Sequence, residues 1–314
     1  MNFKVYVYQF IAVLTISISS WLGLSYYLDE FGHYGDCSPK EIWIVEKVSK
    51  LLFSAGCSID SYDSFIIGTS ASSLNVDSSK LISGNFYNFS VNAGSVSDSR
   101  AILEVPLNKD QEIKNIIIGI IPPYTNAPLS RISAPSGFKL LMSSFSIEVA
   151  LRRWLGSYTE NVFKGSWYGD TSSDPLNLAS SSSERIKNDL ASTNRGNLDN
   201  YFKINEEQFS ELKNLLEKAQ AQKINVIGYF HIYPEGVNDI PRFTLLYQEY
   251  KDQINALFHS NGFITIDPSK LSILDSNNDE NYFNMHHLSS LGAEKIFNYL
   301  DTKLIETSIV RNED

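Results

Sequence analysis

The chain has 314 residues, of which 43% are hydrophobic and 20% are charged, a balance typical of a globular protein. Its formal net charge of -10 leaves no basic surface in bulk, so the composition argues against a nucleic-acid-binding protein. The length allows one large α/β domain with additions, or two small domains.

The N-terminal segment is apolar and uncharged over residues 5–28. About 20 apolar residues suffice to cross a bilayer, so we predict one membrane-spanning helix within residues 1–30. Lys4 precedes the run and Asp29 and Glu30 follow it. The positive-inside rule therefore predicts a single-pass protein with a cytoplasmic N-terminus and a periplasmic or extracellular main domain. A cleavable signal peptide is the alternative, but its apolar core is normally only about 7–15 residues long and ends at small residues.

Residues 31–60 are predicted to form a juxtamembrane segment, and residues 61–314 the main domain. Cys37 and Cys57 are the two cysteines, and both lie in the juxtamembrane segment. On the predicted topology they would be in an oxidising compartment, where disulfides form. The sequence leaves open whether they are bonded to each other.

The main domain is predicted to be an α/β fold around five parallel strands. Five short, β-rich apolar runs bounded by turn residues are typical of buried strands: residues 65–68, 86–91, 116–121, 224–230 and 263–267. Helical patterns lie between several of them, which implies a parallel sheet covered on both faces. We therefore expect a flavodoxin-like three-layer sandwich, in which ligands bind beyond the carboxyl ends of the strands.

Several helix ends are also marked in this domain. Ser97 is a candidate N-cap for a helix that ends near Pro106, and Asn205 with Gln208 resembles a capping box. Gly262 suits the C-terminal end of another helix.

A long insertion is predicted at about residues 122–223. Its serine-rich middle, "GDTSSDPLNLASSSSERIKND", is predicted to be a surface loop or lid, or else a disordered insertion without a role.

Three polar features follow predicted strands and therefore belong at one edge of the sheet. In "IIGTS", Ser70 follows the first strand; in "NFSVNAGS", Gly94 follows the second and its N–H could serve an oxyanion hole. In "NMHHLSSLGAEKI", after the fifth strand, His287 is the kind of base that activates a serine. Each feature alone is also consistent with a plain turn or a surface histidine pair. Adjacent histidines point in different directions, so we expect no metal site at His286 and His287.

Taken together, these three blocks resemble the SGNH/GDSL hydrolase superfamily over roughly residues 60–305. The resemblance implies that Ser70 is the nucleophile, that His287 is the base, and that the N–H groups of Ser70 and Gly94 form the oxyanion hole. Within the superfamily, the N-terminal anchor and the long insertion are similar to the membrane-anchored branch linked to acyl transfer onto cell-surface polymers.

The chain departs from the family pattern at two places. Asn284 stands where the family has the aspartate that orients the histidine; an asparagine can orient the ring but brings no charge, a loss of about 10⁴ in rate in a charge-dependent triad. The Gly-x-Asn-Asp block is replaced by "GIIPPYTN", where either Tyr124 or Asn126 could supply the missing donor. Tyr124, Asn126 and His231 are our candidates for substrate binding.

The sequence thus predicts a membrane-anchored serine O-acyltransferase or acyl esterase that acts on an acylated cell-envelope or secreted polysaccharide or cell-wall polymer. No cofactor is expected, and a membrane-bound acyltransferase is a candidate partner. The alternative is a catalytically inactive relative that binds glycan or such an acyltransferase.

Overall fold

A computed structural model describes residues 3–28, 47–73, 78–109, 111–129, 198–271 and 273–311. Its helices are α1 (Phe3–Leu28), α2 (Lys47–Ala55), α3 (Ser70–Ser73), α4 (Val96–Glu104), α5 (Pro122–Asn126), α6 (Leu198–Phe202), α7 (Glu206–Ala221), α8 (Glu235–Asn238), α9 (Pro241–Ser260) and α10 (Ser290–Arg311). Its strands are β1 (Ser64–Ile67), β2 (Phe86–Asn88), β3 (Asn115–Ile120), β4 (Asn225–Phe230), β5 (Ile264–Ile266), β6 (Tyr282–Asn284) and β7 (His287–Leu288). Short 3₁₀ turns lie at Cys57–Ser61, Ser78–Lys80, Pro106–Asn108, Pro268–Lys270 and Asp279–Asn281.

Strands β1 to β5 form one parallel sheet in the order β2-β1-β3-β4-β5, which confirms the α/β class and the five predicted strands. Strand β2 ends at Asn88, earlier than predicted. The chain beyond it still follows β1, because the N–H groups of Phe89 and Val91 donate to the carbonyls of Ile66 and Gly68 at 2.7 and 3.2 Å. The order reverses between β1 and β3. In open α/β sheets ligands bind at such a switch point, beyond the carboxyl ends of the strands.

The sheet is buried on both faces along β1 to β4, where successive residues of each strand belong to opposite hydrophobic clusters. On one face, Phe65 and Ile67 of β1 pack with side chains of α4, α7 and α9. On the other face, Ile66 packs with the side chains that α10 turns inward. Two-sided burial explains why these strands are continuous apolar runs rather than alternating ones.

The folded core begins upstream of the predicted boundary at residue 61. Phe53 of α2 and Ile59 of the following turn are fully buried in the main cluster, and Phe53 stacks on Tyr87 with ring centroids 4.4 Å apart. The ends of the predicted insertion also belong to the core, through α5, α6 and α7. The serine-rich stretch, residues 169–189, lies outside the described residues.

Helix α1 contains a stretch, Phe3–Ser20, that is long and apolar enough to cross a membrane, and none of it is buried against the rest of the protein. A signal sequence near an N-terminus meets the same criterion. Cys57 is disulfide-bonded. Cys37, the other cysteine of the sequence, lies outside the described residues.

Candidate active site

Ser70 is the first residue of α3, directly beyond the end of β1. The φ angle of Gly68 is 150°, a value that favours glycine, and the chain turns there. Thr69 then starts the helix, because its carbonyl accepts the N–H groups of Ser72 and Ser73 at 3.0 Å and its hydroxyl accepts that of Ala71 at 3.2 Å. Ser70 is half-buried and stands at the switch point of the sheet.

Helix α3 lies directly on the sheet because two glycines leave room for Ser72. A Cβ atom at Gly119 of β3 would lie only 1.8 Å from the Ser72 hydroxyl oxygen, and one at Gly68 would lie 2.6 Å from it. The Tyr229 hydroxyl donates to the same oxygen at 2.9 Å. Burial raises the pKa of Tyr229, so the phenol keeps the proton that it donates.

His287 reaches Ser70 from a small antiparallel hairpin, β6–β7, that precedes α10. The base of the hairpin is closed by the N–H of Ser289, which donates to the carbonyl of Asn281 at 2.9 Å. His287 Nε2 lies 2.8 Å from Ser70 Oγ. The structure therefore brings together two residues that the sequence analysis pairs, at the separation that a serine–histidine dyad needs.

Asn284 lies on the other side of the imidazole. Its Oδ1 accepts the backbone N–H of His286 at 2.8 Å and lies 2.9 Å from His287 Nδ1. A flipped amide would set its NH₂ against the N–H of His286, so the hydrogen bonds fix the oxygen in this place. An oxygen there requires hydrogen on Nδ1, which leaves Nε2 as the acceptor for the Ser70 hydroxyl.

Gly94 lies close to the turn that carries Ser70, but its N–H already makes a hydrogen bond within the protein. It donates to the carbonyl of Val91 at 3.1 Å, which corrects the expectation of a free oxyanion donor at this position. A glycine is needed at this position for a steric reason: a Cβ atom there would lie 2.7 Å from the carbonyl oxygen of Gly68. By contrast, the N–H of Ser70 makes no hydrogen bond within the part of the chain that the structure describes.

The structure does not suit Tyr124 or Asn126 as substrate-binding residues. Two prolines begin α5 immediately after β3 and its flanking residue, and the turn carries Tyr124 into the main core, where it is fully buried. The amide nitrogen of Asn126 donates to the carbonyls of Asn200 and Tyr201, at 3.2 and 2.8 Å. It therefore ties α5 to α6 rather than offering a donor at the site.

His231 is also a core residue rather than part of the site's surface. It is buried beneath the β6–β7 hairpin, with Nε2 3.5 Å from the carbonyl oxygen of Met285. Burial, and then the neighbouring His286 and His287, lower the pKa of His231 to about 3, so its ring is neutral. The expectation that it binds substrate is corrected accordingly.

Sequence reasoning missed the residues that support α3 from below. Ser72 and Tyr229 belong to no recognisable motif, and only Gly68 and Gly119 indicate from the sequence that another segment approaches the strands closely there.

No group of three or more His, Cys, Asp or Glu side chains that could hold a metal ion occurs among the described residues.

No protein-family model matches the chain, and no curated protein matches it.

Proposed function

We propose that this chain is a serine esterase or O-acyltransferase of the SGNH type. One observation carries the proposal: Ser70 Oγ, His287 and Asn284 form a continuous relay with separations of 2.8 and 2.9 Å. The relay stands at the switch point of a parallel sheet, where ligands bind in such folds. The strand order and the helices on both faces support the finer expectation of a flavodoxin-like, SGNH-type three-layer sandwich.

In the proposed reaction, Ser70 Oγ attacks the carbonyl carbon of an acyl ester while His287 Nε2 takes the hydroxyl proton. The tetrahedral intermediate then collapses, the bond to the alcohol breaks, and the imidazolium returns the proton to the leaving oxygen. The acyl group remains on Ser70. Attack by water on this acyl-enzyme gives hydrolysis, and attack by a second hydroxyl group gives transfer, with His287 again moving the proton.

Asn284 supports catalysis without a negative charge. In serine proteases, replacing the orienting aspartate by asparagine costs about 10⁴ in kcat because the amide imposes the wrong tautomer. Here the N–H of His286 holds the amide oxygen against Nδ1, so the amide favours the tautomer that accepts a proton from Ser70. The rate loss that a wrong tautomer would cause is therefore avoided here. The rate loss that comes from having no negative charge beside the imidazolium remains.

The proposed site has few hydrogen-bond donors for the oxyanion. The N–H of Ser70, which makes no hydrogen bond within the described residues, is the first donor that we propose for the oxyanion. The N–H of Gly94 would become a second donor only if the turn from Val91 to Gly94 opens, because it now donates within that turn.

A membrane anchor and an extracytoplasmic domain complete the proposal. Helix α1 supplies an apolar segment of membrane-spanning length, and the disulfide at Cys57 is typical of oxidising compartments. With the N-terminus in the cytoplasm, the site would face cell-envelope or secreted polysaccharide, and a membrane-bound acyltransferase could supply the acyl group.

A second candidate is a catalytically inactive relative that binds glycan or a membrane acyltransferase. The engaged N–H of Gly94 favours it, since of the two proposed oxyanion donors the Ser70 amide alone is then without a hydrogen bond among the described residues. The absence of the Asn-Asp block in the sequence points the same way.

Hydrolysis of an activated acetyl ester by the full chain in detergent separates the two candidates. We expect turnover that falls at least about 10³-fold in Ser70→Ala, by analogy with other serine nucleophiles. Ser260→Ala, at the exposed end of α9, is the matched control and should keep wild-type activity. Activity that survives in Ser70→Ala would refute the assignment, and an inactive wild-type chain that still binds acetylated glycan would favour the second candidate.

A further inference from the structure

A buried lysine lies beneath the backbone that leads from β2 towards Gly94. Lys50 is on α2, in the segment between the apolar N-terminal helix and the sheet, and the residue is only 6% exposed. Its Nζ donates to the carbonyl oxygens of Asn88 at 2.5 Å and of Ser90 at 2.6 Å. Burial lowers the pKa of Lys50 to about 7, a measure of the cost of removing this side chain from water.

Asn88 connects that lysine to the nucleophile helix. While its carbonyl accepts from Lys50, its side-chain Nδ2 donates to the carbonyl of Ser72 at 2.8 Å, and its Oδ1 accepts the N–H of Ser90 at 3.0 Å. The backbone and the side chain of Asn88 are thus both fixed, and one of these bonds ends on α3.

Helix α3 needs such support because it is one turn long, and a single turn is not stable by itself. It is held from two sides at Ser72: Asn88 of β2 binds its carbonyl, and Tyr229 of β4 binds its hydroxyl. The position of Ser70 therefore depends on contacts that α3 makes with β2 and β4.

We propose that Lys50 is a positioning residue for Ser70. It holds the end of β2 so that Asn88 fixes the backbone of α3, and through it the distance from Ser70 Oγ to His287 Nε2. The inference rests on the proposed function, since it assigns the support of the same nucleophile to a segment outside the three sequence blocks. A misplacement of about 1 Å can cost on the order of 10² in rate, so the loss of Lys50 should be visible in the chemistry of Ser70.

The second-order rate of labelling by an alkyl fluorophosphonate tests this, with the full chain in detergent. Ser70 Oγ bonds to phosphorus, fluoride leaves with the P–F bonding electrons, and the hydroxyl proton passes to His287. We expect labelling to be about 10- to 100-fold slower in Lys50→Met and in Asn88→Leu than in the wild type. The double variant should be no slower than the slower single variant, because both substitutions break one chain of contacts.

Asn115→Ala is the matched control for stability. Asn115 is a buried polar residue at the amino end of the central strand β3, away from the carboxyl ends where Ser70 lies, and it is hydrogen-bonded to Ser64, Ser83 and Asn225. We expect this variant to melt at a lower temperature but to be labelled at the wild-type rate below its melting transition. Asn88→Leu keeps the test decisive if Lys50→Met fails to fold.

The outcomes separate the inference from the function on which it rests. Wild-type labelling at Ser70 together with equal rates in folded Lys50→Met, or in Asn88→Leu, would overturn the inference and leave the proposed function standing. Multiplied losses in the double variant would overturn the single chain of contacts. A wild-type chain without any label would overturn both.

Discussion

Replacing Asn284 by aspartate should increase the rate of the first chemical step. The carboxylate would occupy the place of Oδ1, 2.9 Å from His287 Nδ1, and would still accept the N–H of His286. It would add one negative charge beside the imidazolium that forms as Ser70 loses its proton. Two unit charges about 4 Å apart interact by about 1 kcal/mol in water and about 4 kcal/mol at an effective dielectric of 20.

Both side chains are half-buried, so the lower part of that range applies. A gain of about 1–2 kcal/mol in the transition state corresponds to an increase of about 5- to 30-fold in kcat. Asn284→Leu, which removes the acceptor for Nδ1–H and for the N–H of His286, should lower kcat by about 10- to 100-fold.

The assay is pre-steady-state acylation with an activated acetyl ester, which separates the first step from deacylation. Asn277→Asp is the control, because it adds the same charge at an exposed position in the preceding loop. A kcat for acylation that is unchanged or lower in Asn284→Asp would refute the reasoning about charge. An unaffected Asn284→Leu variant would refute the orienting role itself.

Two further predictions concern the groups around the site. Because the unfolded chain protonates His231 below pH about 6.5 while the buried ring stays neutral down to about pH 3, this residue should remove about 2 kcal/mol of folding stability between pH 7 and pH 5. Urea unfolding at the two pH values should show that loss in the wild type and a correspondingly smaller one in His231→Gln; equal slopes would contradict it. Gly119→Ala should displace Ser72 and lower fluorophosphonate labelling of Ser70 at least about 10-fold. Gly262→Ala is the control: φ there is 74° and a Cβ atom would lie 3.7 Å from Gln220 Nε2, an ordinary contact, so it should cost about 1 kcal/mol of stability and leave labelling unchanged. Equal labelling of the two alanine variants would contradict the packing argument.

Strands and helix ends were predictable where a short stretch of sequence determines them by itself, as a buried apolar run or a capping residue does. The runs of β1 and β3 are fully buried, as expected for central strands, and Asn205 is the predicted N-cap of α7, accepting the N–H groups of Glu207 and Gln208. The predicted capping box does not form, because the Gln208 side chain bonds Ser97 instead. Gly262 follows the end of α9 with a φ of 74°. Ser97 was the wrong N-cap of α4: Ser95 forms a reciprocal capping box with Asp98, so the helix begins earlier.

The parts that sequence reasoning missed depend on contacts between distant segments. The β6–β7 hairpin has strands of only three and two residues, too short to show a β pattern, yet it carries His287 to Ser70. The N–H of Gly94 is engaged by a turn whose geometry the letters "NAG" do not determine. Lys50, 38 positions from Asn88 in the sequence, gave no sign that it would be buried.

The measurement that tests the central claim most directly is the identification, by peptide mass spectrometry, of the residue that an alkyl fluorophosphonate modifies in the full chain. The proposed site predicts one label per chain on Ser70, with none in Ser70→Ala and a severe loss in His287→Phe. A chain that takes no label, or takes it on another serine, or is labelled equally fast without His287, would contradict the claim that the Ser70–His287 pair is an activated nucleophile.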